Sequence, residues 1–247
     1  MVEAGFRVVA PDMRGYNLSD KPPVVRAYRL ELLALDVERL ILARGERTAA
    51  LVGHDWGAIA AWNAAMRHPR RVRRLAILNV PHPARFIEGL LSPGQLLRSS
   101  YVFFFQIPRV PEEVIRAGDF ALLRSALRRD PVRAGTFTAE DIERYVGAIA
   151  GPGALTATLN YYRALLRNPG EMGALLERIE APVLVIWGER DRFLSRRLGE
   201  PPSPWVPNLL RVERLPNASH WVAEDSPREV NTLLLDFLRA PLTTLAG

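Results

Sequence analysis

The stretch Ala49-Ala50-Leu51-Val52-Gly53-His54-Asp55-Trp56-Gly57-Ala58 runs from an apolar strand, through a glycine-flanked aspartate, into a helix. A small–x–Asp–x–small turn at such a junction has the geometry of a nucleophile elbow, with aspartate where serine hydrolases carry serine. Gly53 and Gly57 are expected to be needed because the sharp turn brings strand and helix backbones close together. The turn would expose Asp55 at the carboxyl end of a sheet, near the N-terminus of the next helix, where the helix dipole favours an anion. A carboxylate, with a reference pKa of about 3.9, is ionised at neutral pH and needs no base to activate it. The plainer alternative is an N-cap aspartate in a Gly-rich strand–helix turn, which this turn alone does not exclude.

Short apolar runs elsewhere read as buried strands: Phe6–Ala10, Leu75–Val80 and Val183–Trp187, beside Ala49–Val52, with Leu209–Leu215 as an alternating fifth. Asp36–Ala43 and Ala58–Met66 read as helices. Strands alternating with helices argue for an α/β fold with a doubly wound, mostly parallel sheet. From Pro83 to Arg178 the pattern changes to helical periodicity without a convincing strand, cut by Pro108, Pro111, Pro131, Pro152 and Pro169. The expected organisation is a first core segment, 1–82, an inserted helical cap (lid), 83–178, and a second core segment, 179–247. The cluster Tyr101-Val102-Phe103-Phe104-Phe105 sits inside the insert.

Two further stretches turn the elbow into a site. Val183-Leu184-Val185-Ile186-Trp187-Gly188-Glu189-Arg190-Asp191 is a buried strand ending in an acidic turn, and Leu215-Pro216-Asn217-Ala218-Ser219-His220-Trp221 is a strand followed by a loop histidine. The order Asp55, Asp191, His220 is nucleophile, acid, histidine, as hydrolases of this architecture use it. Asp191 would orient His220 and stabilise its imidazolium, and His220 would deprotonate a water. Glu189 is the rival acid, although its place directly after Gly188 suits a turn residue. The bland reading of His220 is a loop histidine satisfied by Asn217 or Asp225. His54 is expected to turn into the sheet and His68 to sit at a helix end, while His82 is left without a role.

Composition narrows the classes. The 247 residues carry no cysteine, which excludes disulfides, thiolate metal sites and a cysteine nucleophile. Four scattered histidines make a zinc site a poor fit. Net charge is +6, and Lys21 is the one lysine among 33 basic residues, but the arginines are spread out and no basic stripe carries interleaved aromatics, so no nucleic-acid partner is expected. No apolar run approaches the roughly 20 residues of a membrane helix, and the first residues lack the basic-then-apolar pattern of a signal peptide. A cytoplasmic setting is the natural expectation. A homodimer is compatible with the sequence, which does not fix the oligomeric state.

With these residues in hand, the chain resembles the epoxide hydrolase branch of the α/β-hydrolase family. The resemblance runs through Gly5-Phe6-Arg7-Val8-Val9-Ala10-Pro11-Asp12-Met13-Arg14-Gly15-Tyr16, Gly53–Gly57 and Ala218–Trp221. The insert stretches Gln95-Leu96-Leu97-Arg98-Ser99-Ser100-Tyr101 and Phe105-Gln106-Ile107-Pro108 look most like the membrane-anchored animal subgroup and its bacterial relatives. The resemblance implies two tyrosines that bind the epoxide oxygen, and the matching positions are Tyr101 and Tyr162, with Tyr161 as the local rival. Both could instead be core aromatics, as Phe103 to Phe105 are expected to be. Trp56, Phe104 and Trp221 are assigned to substrate binding. The partners implied are a small apolar epoxide and water; no cofactor and no metal is implied. The family's His-Gly-x-Pro turn does not occur in this chain, and the family's first three strands are missing with it; the expectation is a misassigned start, with the turn encoded ahead of Met1, and the alternatives are a fragment or a decayed copy.

Three functions compete. An epoxide hydrolase would form an ester on Asp55 and hydrolyse it with His220 and Asp191. A dehalogenase shares those groups but needs halide-binding N–H donors and no phenol pair; a haloacid type also wants cations after the nucleophile, where Trp56-Gly57-Ala58-Ile59 offers none. A non-enzymatic homologue with an apolar pocket is the third. Asp55 excludes a serine esterase at the elbow.

Overall fold

The computed structural model describes residues 1–168 and 176–241. Four parallel strands form one sheet in the order β1 (Ala49–His54), β2 (Val72–Leu78), β3 (Val183–Gly188), β4 (Leu209–Leu215). Successive side chains of a strand face opposite sides, and here both sides are covered. Leu75, Ile77, Val183, Val185 and Trp187 pack against Ala58, Ala61, Trp62, Ala65 and Met66 of helix α2 (Trp56–Arg67). The alternate residues Ala76, Leu78, Leu184, Ile186 and Leu215 pack against Val230, Leu234 and Phe237 of the C-terminal helix Pro227–Arg239. Each fully buried aliphatic side chain in such a core adds roughly 1.5–3 kcal/mol. This two-sided burial is why the strands read as continuous apolar runs.

Helix α1 (Leu30–Ala43) precedes β1 and turns Leu30, Leu33, Ala34 and Ile41 inward. Between β2 and β3 the described residues form helices only: α3 (Pro83–Leu90), α4 (Pro93–Arg98), α5 (Ser100–Phe104), α6 (Val110–Arg129), α7 (Ala139–Ala150) and α8 (Ala154–Arg167). α6 is broken at Ala117–Phe120, where Gly118, Asp119 and Phe120 all have positive φ. Their own apolar cluster joins Leu127, Phe137, Ile142, Val146, Leu155 and Leu159. Pro169, expected to divide this region, lies outside the described residues. After β4 come α9 (Val222–Asp225) and α10 (Pro227–Arg239). No helix among the described residues is long and apolar enough to cross a membrane.

Phe6–Ala10 departs from the expected strand. It pairs with no strand, and Val8 and Val9 are 51% and 44% exposed. An apolar, β-branched run supplies the propensity, but a strand exists only where a neighbour takes its backbone hydrogen bonds. The residues that follow are firmly held. Arg14 makes a two-pronged contact with Asp36 at 2.8 and 2.6 Å and donates to the Ala27 carbonyl at 3.1 Å, while Tyr161 donates its hydroxyl to the Arg14 carbonyl at 2.5 Å.

Candidate active site

β1 delivers the chain to Asp55, whose φ of 49° and ψ of −130° lie in a region L-residues avoid, at a cost of about 1–3 kcal/mol. The turn closes tightly at Gly53: a Cβ there would stand 2.6 Å from the Ala58 Cα and the Gly57 carbonyl oxygen. Gly57, expected to be constrained in the same way, is not; its Cβ would meet only the Met13 sulfur, at 4.0 Å. The strand and helix backbones approach each other at one glycine, not two.

The two oxygens of Asp55 have different partners. Oδ1 accepts the Trp56 backbone N–H at 2.6 Å, and Oδ2 lies 3.0 Å from His220 Nε2. His220 Nδ1 lies 2.8 Å from Asp191 Oδ2. The side chains of His220 and Asp191 are 8% and 0% exposed, whereas that of Asp55 is 46% exposed, so the line of three groups opens at Asp55. Glu189 points away, 3.9 Å from Arg214, and Asp225 accepts from Ser219 rather than from His220. Asn217 accepts from Arg190, so the described contacts put Asp191, and not Glu189, Asn217 or Asp225, against His220.

The acid is fixed from several directions. Asp191 Oδ1 accepts the N–H groups of Phe193 and Leu194 at 2.7 and 2.9 Å, and Oδ2 accepts from the Asn79 amide at 2.8 Å. Asn79 also accepts the Gly188 N–H at 2.7 Å, and its own φ of 48° swings it out of β2 towards β3. Gly188 can only be glycine at this crossing, because a Cβ would come within 2.1 Å of the Ser219 carbonyl oxygen.

Burial alone would raise the Asp55 carboxyl, but the His220 contact outweighs it and holds the pKa at about 2. Burial would likewise lower His220, yet the hydrogen bonds it donates to Asp191 and Asp55 raise it to about 10. At neutral pH the resting arrangement therefore sets an Asp55 carboxylate against a His220 imidazolium. His54 does not turn into the sheet; its Nε2 meets the His220 carbonyl at 2.7 Å, and burial, then the charge of His220, lowers its pKa. His68 caps the end of α2, as expected. His82 is fully buried as the N-cap of α3, and burial lowers it to about 4.

Aromatics of the helical insert reach the neighbourhood of Asp55, packing on the adjacent Trp56 and feeling its charge. Tyr101 on α5 and Tyr162 on α8 have ring centroids 5.8 Å apart, and Tyr162 packs on Trp56 at 5.0 Å. Burial raises both phenols well above their ordinary pKa, and the Asp55 charge raises them further, so both keep their protons at neutral pH. Tyr161, the rival, also packs on Trp56, at 4.9 Å, but its hydroxyl is taken up by the Arg14 carbonyl. Arg163 binds the two helices together. It donates to the Phe105 and Ile107 carbonyls at 2.9 and 3.2 Å and to Glu112 at 2.7 and 3.0 Å, all buried or nearly so. Trp221 packs on Phe137 at 5.1 Å and His220 at 6.0 Å, and Phe104 contacts Phe105 at 5.9 Å.

Three groups at the site escaped the sequence reading. Phe193 sits 5.9 Å from the Tyr101 ring and 5.4 Å from the His220 ring. Tyr16 is raised by burial and then by Asp55. Asn79 left one signal: an amide inside an otherwise apolar run.

The chain matches the α/β hydrolase fold family over residues 2–227. It is 42% identical over 245 residues to the AB hydrolase superfamily protein YfhM of Bacillus subtilis, covering 97% of this chain and 82% of that protein. It is 39% identical over 241 residues to epoxide hydrolase 3 of Xenopus tropicalis, covering 95% of this chain and 65% of that one. Among solved structures, an epoxide hydrolase of Bacillus megaterium with a bound inhibitor superposes with a TM-score of 0.82 at 30% identity, over 92% of this chain and 82% of that chain.

Proposed function

The chain belongs to the α/β-hydrolase family, in its epoxide hydrolase branch, and from that premise we propose that it opens a small apolar epoxide to a vicinal diol through an ester on Asp55. The observation that carries this reading is one carboxylate with two sets of neighbours. His220 and, through it, Asp191 bond one oxygen of Asp55, and two protonated phenols, one packed on the adjacent Trp56 and each beside the other, feel its charge. The helices of 83–178 act as the cap that supplies the phenols.

In the first step Asp55 attacks an epoxide carbon, the carbon–oxygen bond breaks, and Tyr101 and Tyr162 donate to the leaving oxygen. The resting His220 imidazolium is the net source of the proton that quenches the alkoxide, which leaves a neutral imidazole. Esterified Asp55 no longer carries the charge that helped hold that proton. In the second step His220 takes a proton from water, the hydroxide attacks the ester carbonyl, and the Trp56 N–H, already on Oδ1, stabilises the oxyanion. Collapse releases the diol and restores carboxylate and imidazolium. Trp56 and Trp221, with Phe104, line the apolar side.

The test is His220→Gln. It retains the nucleophile and the phenols, through which solvent can supply the alkoxide's proton, but lacks the base, so intact-protein mass spectrometry after mixing with styrene oxide should show one substrate mass added and slow turnover. A protein mass that stays unmodified while wild type turns over would reject the two-step reading.

A further inference from the structure

Gln95 lies on α4 and is 2% exposed. A buried side-chain amide must find partners, and Gln95 finds them mostly in another part of the chain. Its Nε2 donates to the Phe193 carbonyl at 2.9 Å and to Ser99 Oγ at 3.0 Å, and its Oε1 accepts the Ser195 N–H at 2.9 Å. One turn later Arg98 donates to the carbonyls of Arg192 and Asp191 at 2.8 and 3.2 Å. α4 therefore grips the backbone of the loop that carries Asp191.

That loop has two faces. Its amides orient the Asp191 carboxylate, and its Phe193 ring stands between His220 and Tyr101. Tyr101 follows Gln95 through one short turn, in which Ser99, bonded to the Gln95 amide, accepts the Val102 N–H at 3.0 Å. The Gln95 amide thus grips the acid's loop through both its oxygen and its nitrogen, and the same nitrogen holds Ser99, the N-cap of the phenol's helix. We propose that Gln95 is a positioning residue that fixes the register of Tyr101 against the Asp191–His220 pair. Its kinetic consequence rests on the epoxide hydrolase reading; the clasp itself does not.

A misplacement of about 1 Å at a reacting group can cost roughly 100-fold in rate. Gln95→Met keeps length and bulk and removes all three hydrogen bonds. In single-turnover mixing with styrene oxide, it should lower ring opening by about 10- to 100-fold. The discriminating readout is a double-mutant cycle with Tyr101→Phe. If Gln95 acts through the phenol, losing the hydroxyl should cost much less in the Gln95→Met background than in wild type. Hydrogen exchange should show faster exchange at the Phe193, Leu194 and Ser195 amides with β1–β3 unchanged. Gln95→Glu, which retains the acceptor for Ser195, should recover part of the rate.

Additive losses in the cycle, or a lowered melting temperature with ring opening unchanged per folded molecule, would overturn the proposal by making Gln95 a packing residue. Should Gln95→Met fail to fold, the exposed Arg98→Met carries the same cycle and the same exchange measurement, with smaller effects expected. If wild type forms neither diol nor ester, the epoxide reading falls and exchange alone judges the clasp. Loss of loop protection then upholds it, and retained protection overturns it.

Discussion

Replacing Tyr101 or Tyr162 by phenylalanine should slow ring opening and spare ester hydrolysis. Both phenols are held above their ordinary pKa by burial and by the Asp55 charge, so each is a neutral donor across the usable pH range. Each removes one O–H from a pre-organised pair and leaves ring packing intact: Tyr101 keeps Phe105 at 5.5 Å, and Tyr162 keeps Trp56 at 5.0 Å. One donor in an oxyanion site is worth roughly 2.7–4 kcal/mol, or about 10²- to 10³-fold. The single variants should sit near the lower end, because the surviving phenol still reaches the same oxygen. The double variant should fall well below either single, though not by their product, since the two act as a unit.

Rapid quenching under single turnover measures ester formation and ester loss separately. The first rate should drop and the second should stay within a few-fold, because His220, Asp191 and the Trp56 amide are untouched. A chloroalkane, whose leaving halide wants no phenol proton, should respond little. Loss of less than about tenfold in ring opening for both single variants would refute the role of the phenols, against the 10² expected for such a donor. Equal losses on both substrates and both steps would instead mean that the helical insert had shifted.

Asp55→Ala should abolish diol formation, since nothing else at the site can form the ester; residual activity above a few per cent by chromatography would make Asp55 structural. The His220 pKa is raised from 6.5 to about 10 on folding. Its contribution to stability is therefore full below about 6.5 and lost as pH rises through about 10. Denaturant titrations should show this loss in wild type and much less of it in His220→Gln, and parallel curves would refute it. Arg163→Leu leaves Glu112 buried without its partner, a loss of about 3–5 kcal/mol. It also frees α5 from α8, so both thermal stability and ring opening should fall; an unchanged melting temperature would remove Arg163 from that role.

The core of this site was legible because its groups stand at the ends of strands. Asp55, Asp191 and His220 each follow an apolar run at a turn marked by small residues, so spacing and order alone bring them to one edge of the sheet. Glu189 could be set aside only by geometry, because two carboxylates in one turn differ in direction and not in sequence signal. The phenols were not legible from pattern. Helical periodicity places Tyr101 and Tyr162 in a core as readily as at a site, and the choice of Tyr162 over Tyr161 came from resemblance; Trp56 packs on both, and the structure separates them by Tyr101 beside Tyr162 and the Arg14 carbonyl under the Tyr161 hydroxyl. Phe6–Ala10 shows the opposite failure. Its composition is that of a strand, but pairing is a property of two segments.

The side chains that hold the site were the least legible of all, for a physical reason. Asn79 and Gln95 bond largely, and Asp225 in part, to backbone groups far away in the chain, and a backbone N–H or carbonyl leaves no mark on residue type. Asp225 accepts from Ser219, beside His220, and also from the Val132 N–H in the helical insert at 3.0 Å. Gln95 joins the same insert to the Asp191 loop. The insert is thus tied by a buried side chain to each loop that flanks Asp55. In the proposed mechanism, ring opening draws on groups from both the insert and the sheet, whereas ester hydrolysis draws only on those borne by the sheet's loops. A change that loosens the insert as a body should therefore weigh on the first step more than on the second, while a change at Asn79, which braces Asp191 against Gly188 within the sheet, should weigh on the second.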